Sequence, residues 1–507
     1  MIVKRSSNQG DRTYLCTSRI AKPLEFISNK IISYIIMLKK TLTVLALSLG
    51  LAHFLSASNM ADSTLIEVYA QGVPAGKIKL VGVFGDQNFL ADSAIIDGSG
   101  HFTIRRSKPL NAGYYYFLLP SGKNFSMLID KNEQFITLRT DAKDFVTNMQ
   151  VTGSVNTDIL YQNFKFQLQQ DGELGQLANV LKNNPANSPE FKSAKERQDA
   201  VLAERKKHLD ELYAKYPNSF FKKFKIAGQN PEFVEFRKAN GDIDTIRQVV
   251  NYRDHFWDGF DFTDERLLYT PVVSNKLRRY IKELTPQRPD SIIKVSDAII
   301  RRVIPYKPYF QYFANWIAMQ YENTKTTVMD GEAAYVHIVK NFFTPELAYW
   351  DKPDNLAKLQ KHVQEMEASL MGRKGPDVVA KNPQGIEKSI YEIKAPVIVV
   401  FMYSPDCEHC QKDADEIQRI YTKWKDKGVE FYAIAVNTTD AEWRAFINLH
   451  KFTFINVFDP TNRAIYAKYY VDVTPELYVL DKNRTIVAKN LHAEQLEAIF
   501  EKELRKL

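Results

Sequence analysis

Met402-Tyr403-Ser404-Pro405-Asp406-Cys407-Glu408-His409-Cys410 decides the fold, because it joins an uninterrupted apolar run to an amphipathic helix. Val397-Ile398-Val399-Val400-Phe401 contains no polar residue, the pattern of a strand buried on both faces in a parallel sheet. Beyond Cys410, the residues Ala414, Ile417, Ile420, Tyr421 and Trp424 recur at helical spacing until Gly428, where a left-handed stop is expected. Cys407 is therefore placed at a helix amino terminus, where unpaired N–H groups and the helix dipole favour a thiolate. A cysteine in that setting falls from a pKa of about 8.5 to about 3.5–7.5. Two intervening residues put both sulfurs on one turn, the first exposed and the second turned inward. Cys407 is the candidate attacking thiol and Cys410 the candidate resolving thiol.

Composition narrows what surrounds this site. A length of 507 residues corresponds to about three domains, and 45% apolar residues with 12% aromatics suffice for packed cores. Residues 1–58 hold eight Lys or Arg and two acids, Asp11 and Glu25, which leaves 60 basic against 58 acidic residues downstream. The leader thus carries most of the formal charge of +8, and the near-neutral body gives no electrostatic case for nucleic acid. Met37-Leu38-Lys39-Lys40, an apolar core from Thr41 to Leu55, and the small residues Ser56-Ala57-Ser58 form the pattern of a secretory signal peptide starting at Met37. The apolar stretch is shorter than the ~20 residues that span a bilayer, and no cysteine follows it for a lipid anchor. The expectation is a protein of the periplasm or cell envelope. Cys16 lies in the leader, so Cys407 and Cys410 have no other cysteine to bond. A bridge closing so short a loop removes little chain entropy, which favours a redox role over a structural one.

The expected organisation is multidomain: a leader over 1–58, a small all-β region over 59–153, an α-helical region over 154–372 and an α/β region over 373–507. Strands are expected at Thr64–Ala70, Lys77–Val83, Ser93–Ile96, His101–Ile104, Tyr114–Leu119, Phe125–Ile129 and Phe135–Leu138, in a sandwich or barrel. Asp97-Gly98-Ser99-Gly100 and Pro120-Ser121-Gly122-Lys123 are expected hairpin turns. Tyr114-Tyr115-Tyr116 is expected to pack in a core rather than bind a ligand. In Glu190–Tyr216 the basic run Arg205-Lys206-Lys207-His208 is flanked by Glu204, Asp210 and Glu211, so pairing on the helix surface explains it without an anionic partner. His255-Phe256-Trp257-Asp258-Gly259-Phe260-Asp261-Phe262 is expected to pack. The stripe Leu356, Leu359, Val363, Met366 and Leu370 ends before Gly372-Arg373-Lys374-Gly375-Pro376, the best boundary in the chain.

From Asp377 a hairpin precedes the buried strand and cysteine helix. The strand Val429–Val436, a helix capped at Thr439 or Asp440, and the strand Ile455–Phe458 follow. Val473-Thr474-Pro475-Glu476 then precedes the strand Leu477–Leu480, where a cis proline would expose backbone for substrate pairing. This β-α-β-α-β-β-α order, with Cys-x-x-Cys after the first buried strand and Thr-Pro before a later one, resembles the thioredoxin fold. With the signal peptide and the Arg463–Val471 insertion, residues 375–507 resemble the TlpA/ResA-like thiol-disulfide oxidoreductases. The upstream regions, including Asp261–Pro271, resemble uncharacterised domains attached to such modules in Bacteroidetes.

The resemblance implies Cys407 as nucleophile, Cys410 as resolving thiol and Pro475 as the cis proline, with Glu408, His409 and Thr474 shaping the site. It implies protein thiol or disulfide clients and, for a reductase, a membrane redox donor, since the periplasm lacks a reducing pool. No cofactor or metal is implied. Asp406 stands where a tryptophan is common, and Phe401 stands where thioredoxin carries a buried acid that accepts the Cys410 proton. His409 favours a Cys407 thiolate, while Asp406 and Glu408 oppose it. A reductase is the direction the likeness favours.

Two other functions compete. A peroxiredoxin-like peroxidase would use Ser404 three residues before Cys407, but the proline expected four residues earlier is Val400 and an adjacent thiol pair is not its chemistry. A non-enzymatic envelope binding protein would keep the thioredoxin-like region as a scaffold. A zinc site lacks a second cysteine pair, Gln411 excludes a Cys-x-x-Cys-His haem motif, and neither a phosphate loop nor a Gly-x-Ser-x-Gly elbow occurs.

Overall fold

The computed structural model describes residues 63–322, 326–471 and 473–506. The leader, with Cys16, Met37 and Ser56-Ala57-Ser58, lies outside the described residues. Alternating apolar residues build the first layer pair. Strands β1 (Thr64–Gln71), β2 (Gly76–Phe84), β3 (Gln87–Ile96), β4 (His101–Arg106), β5 (Gly113–Leu118), β6 (Asn124–Ile129), β7 (Phe135–Asp141) and β8 (Gln150–Thr152) form two four-stranded sheets, ordered β4-β1-β7-β8 and β3-β2-β5-β6. Ile66, Val68 and Ala70 of one sheet meet Ile78, Leu80 and Phe117 of the other in one core, and Phe102 packs edge-on to Phe117 at 5.1 Å.

The seven expected strands are present, and β8 adds an eighth edge. One reading needs correction. Asp97–Gly100 does not close a hairpin ladder, because β3 pairs with β2 whereas β4 pairs with β1. The turn instead passes the chain between sheets, and the Asp97 carboxylate accepts from the Ser99 and His101 N–H groups at 2.9 and 3.0 Å. Strands β1 and β7 pair in parallel, which the turn signals did not reveal. Tyr115 lies in the sandwich core, and Tyr114 stacks on Phe224 of the helical region at 6.1 Å.

Ser154 and Ser188 cap α1 (Val155–Asn183) and α2 (Pro189–Lys215), each accepting from a main-chain N–H three residues on. Arg205 pairs across to Asp171 of α1 at 2.6 Å. The acids flanking it on its own helix were the expected partners, but the facing helix brings a carboxylate closer. The aromatic tract packs as expected: Phe256, Trp257, Phe260 and Phe262 are buried against Tyr309 and Phe313. On α9 (Pro353–Glu367), following α3 (Phe220–Ala227), α4 (Thr245–Asp254), α5 (Pro271–Arg278), α6 (Pro289–Val303), α7 (Lys307–Gln320) and α8 (Glu332–Phe342), the residues Leu356, Val363 and Met366 face the core.

The carboxy-terminal sheet runs β10-β9-β13-β12-β11-β14-β15, with β9 (Val379–Lys381), β10 (Glu387–Ser389), β11 (Val397–Tyr403), β12 (Val429–Ala435), β13 (Ile455–Phe458), β14 (Glu476–Leu480) and β15 (Ile486–Lys489). All seven residues of β11 are buried. Val397, Val399, Phe401 and Tyr403 enter one core with α10 (Glu408–Trp424), α11 (Asp440–His450) and α12 (Leu496–Leu504). Ile398, Val400 and Met402 enter another, covered by Val378, Ile390, Ala464 and Tyr469. Each such buried side chain contributes ~1.5–3 kcal/mol, so a run without polar residues is what a two-sided core requires. The sheet is mixed rather than parallel, since β11 pairs in parallel with β12 but antiparallel with β14.

Gly428 ends the cysteine helix at φ 98°, as expected. Thr439 caps α11 in a reciprocal box with Glu442. Gly372–Pro376 is not an open linker: Gly372 N–H donates to Ile486 O at 2.8 Å, and Gly375 N–H to Arg484 O at 2.7 Å, along the edge of β15. Among the described residues no helix is long and apolar enough to cross a membrane.

Candidate active site

The site begins where β11 stops. Cys407 N–H donates to Ser404 O at 3.0 Å, and the Gln411 side chain donates to Pro405 O at 2.8 Å, which ties the turn to the new helix. Cys407 is the cap of α10, with extended backbone, and its Sγ accepts from Cys410 N–H at 3.4 Å. A thiol here replaces the usual serine or aspartate of a helix cap, so the amides that complete the helix also bear on the sulfur. Cys407 is half-buried, whereas Cys410, one turn on, is fully buried among Ala414, Phe401 and Tyr403. Both are free thiols.

The second wall comes from β14. The Thr474–Pro475 peptide is cis, and the Cys407 thiol donates to Thr474 O at 3.0 Å. The two sulfurs sit in opposed environments. Burial pushes the Cys407 thiol up, but hydrogen bonds from Cys410, the Thr474 side chain and the His409 main chain outweigh it and bring Cys407 below the usual cysteine range. Burial pushes Cys410 up to about 12, reinforced by its bond to Cys407. One thiol is thus prepared to ionise while its neighbour holds its proton.

Of the residues singled out in the sequence, Cys407, Cys410, Thr474 and Pro475 come together. Glu408 and His409 are exposed on the outer face of the first turn. The Glu408 carboxylate turns to Lys412 at 2.7 Å, and the bond from His409 to Cys407 is made by its main chain. Phe401 stacks on Tyr403 at 5.0 Å, with the Tyr403 hydroxyl donating to Asn456 at 3.2 Å. No sequence argument found Glu476, whose buried carboxylate follows Pro475 and accepts from Asn490 N–H at 3.1 Å. The only signal was an acid opening an otherwise apolar strand. A cavity of about 600 Å³ between β9, α11 and the loop after β13 holds none of these residues.

Residues 371–489 match the AhpC/TSA family. The carboxy-terminal domain has the thioredoxin-like fold and carries this match. Residues 244–369 match a domain of unknown function, DUF5106. The AhpC/TSA domain carries the likeness to curated relatives: the thiol-disulfide oxidoreductase ResA of Bacillus thuringiensis (strain Al Hakam) is 25% identical over 141 residues, covering 27% of this chain and 81% of that protein. A domain of a possible thiol-disulfide isomerase from Cytophaga hutchinsonii is 31% identical, covering 27% of this chain and 97% of that one, with a TM-score of 0.26. A thioredoxin-like protein from Bacteroides caccae is 18% identical, covering 54% of this chain and 99% of that one, with a TM-score of 0.42. The AhpC/TSA domain thus has homologues named as thiol-disulfide oxidoreductases.

Proposed function

We propose that this protein is an exported thiol-disulfide oxidoreductase that exchanges disulfides with protein clients through Cys407 and Cys410. The observation that carries the reading is the asymmetry of the pair: a half-exposed thiol drawn below the usual range at a helix amino terminus, beside a buried thiol held well above it. The Cys407 thiolate attacks one sulfur of a client disulfide, forming a mixed disulfide and expelling a client thiolate that takes up a proton. Cys410 then loses its proton and attacks Cys407 Sγ, releasing the second client thiolate. The protein finishes as the Cys407–Cys410 disulfide and the client has gained two electrons. The main chain at Thr474-Pro475 offers the edge along which the client segment lies, with Glu408 and His409 at its rim.

In the reductase direction a membrane redox donor regenerates the dithiol, and the leader over residues 1–58 supports export to the periplasm or cell envelope. The limits proposed for the parts are 59–153 for the β region, 154–372 for the helical region and 373–507 for the thioredoxin-like domain. Insulin-disulfide reduction by the intact protein, lost in Cys407→Ser, is the expected result. Equal activity in the two proteins refutes the reading. Cys410→Ser is expected to accumulate mixed disulfides with client proteins, because the attacking thiol remains while the releasing one is gone.

A further inference from the structure

A second buried group of charges lies where the helical region meets the carboxy-terminal domain. Lys489, at the end of β15, pairs with Glu332 in the first turn of α8, and both side chains are 3% exposed. The other Glu332 oxygen accepts from the Asn490 side chain at 3.0 Å, while Asn490 N–H donates to Glu476 at 3.1 Å. Asp330, two residues before Glu332, is 3% exposed. One of its oxygens accepts from Met371 N–H at 3.1 Å, and the other, among the described residues, has no hydrogen-bond partner. Tyr478 of β14 faces Glu476 and Glu332, and its hydroxyl donates to Tyr469 O at 3.4 Å.

The charged groups are therefore Asp330 and Glu332 from α8 and its approach, Glu476 from β14 and Lys489 from β15. Asp330 and Glu332 share one ammonium, that of Lys489, and buried charge without a partner is strongly unfavourable, so one of these two carboxyls keeps its proton. Asp330 is the holder: burial pushes it up to about 7 against the pull of Lys489, and Glu332 adds to the rise. The other end of the chain of contacts is the thiol site, because Glu476 follows Pro475 and Thr474 O lies 3.0 Å from Cys407 Sγ.

We infer that this cluster positions the thiol pair: Lys489, Glu332 and Asn490 hold Glu476, and through it the Thr474 carbonyl, against Cys407, and loss of the Asp330 proton loosens that hold. An ionised Asp330 competes with Glu332 for the Lys489 ammonium. Glu332 then grips Asn490 less firmly, and the head of β14 is freed beside the sulfur. The helical region is thereby a part of the thiol site's support, and Glu332, Lys489 and Asp330 are positioning residues. The inference rests on the thiol chemistry proposed above.

The test is the rate of Cys407 alkylation by iodoacetamide in the full-length protein from about pH 5 to about pH 9, followed on the Cys407 peptide by mass spectrometry. Besides the thiolate titration, a second step of roughly threefold near neutrality is expected, within the range that such coupled networks carry. Asp330→Asn should remove that step and keep the low-pH behaviour, and Glu332→Gln should shift the Cys407 titration. A single-step profile in the native protein overturns the inference, as does an Asp330→Asn variant of native melting temperature that retains the second step. Should Asp330→Asn fail to fold, the native profile decides alone. A single-step profile alongside insulin reduction that depends on Cys407 refutes the positioning role and leaves the proposed function standing. Undiminished reduction by Cys407→Ser removes the function itself.

Discussion

Cys407 and Cys410 are three residues apart yet differ in every property that governs thiol chemistry. The difference is made by position on one helical turn: the capping residue faces outward to the amides and solvent, whereas the residue one turn on points into the core. Thiolate formation at Cys407, followed by ultraviolet absorbance, is expected below the usual cysteine range, while Cys410 stays protonated up to about 12. Cys410→Ser should leave the low-pH transition in place and Cys407→Ser should abolish it. This much was legible, because residue type and helix position are both local. The orientations of Glu408 and His409 were not, since an exposed side chain takes whatever partner is nearest, and for Glu408 that is Lys412. Ile398, on the face of β11 opposite the cysteine helix, is fully buried and pairs with Leu480 of β14. Ile398→Ala is expected to cost ~2–5 kcal/mol in denaturant unfolding, because the side chain is fully buried in the core beneath the sheet and its removal leaves a cavity.

At the scale of the element, termini and turns explain most of the agreement between pattern and structure. Gly428 adopts φ 98°, and a Cβ there would stand 3.0 Å from Pro396 Cγ. Gly428→Ala is therefore expected to cost ~1–2 kcal/mol, read as a lower urea midpoint with an unchanged slope. Removing the α11 cap by Thr439→Ala should cost ~1 kcal/mol. The strands of the sandwich were legible because one face of each is apolar with a period of two. Their pairing was not: the Asp97–Gly100 turn has hairpin chemistry but passes between sheets, and three-residue β8 is too short to show periodicity. Likewise, a run of apolar residues announces a strand covered on both sides, but the direction of each neighbour depends on where distant chain returns. β14 returns antiparallel to β11.

At the scale of the whole molecule, the buried charges between α8 and β15 make stability depend on pH. Asp330 is raised from 3.8 to about 7 in the folded protein. Between those values the folded state binds a proton that the unfolded state has released, so the contribution is present at low pH and is lost as pH rises towards 7. Urea unfolding should thus show the native protein losing stability relative to Asp330→Asn between about pH 4 and 7. A constant difference between the two over that range would show that Asp330 does not titrate in this way. No local pattern predicts this, because Asp330 and Lys489 are brought together by packing across the length of two regions. Taken alone, the sequence determined the thiol pair, its place at a helix tip and the succession of β, helical and α/β parts, because each follows from chain-local periodicity and cap chemistry. The strand directions, the course of Gly372–Pro376 along β15, and the partnership of Glu476, Asn490, Glu332 and Lys489 were decided only by tertiary structure. Those features depend on which distant surfaces exclude water together, and burial then sets the charge that each group can carry.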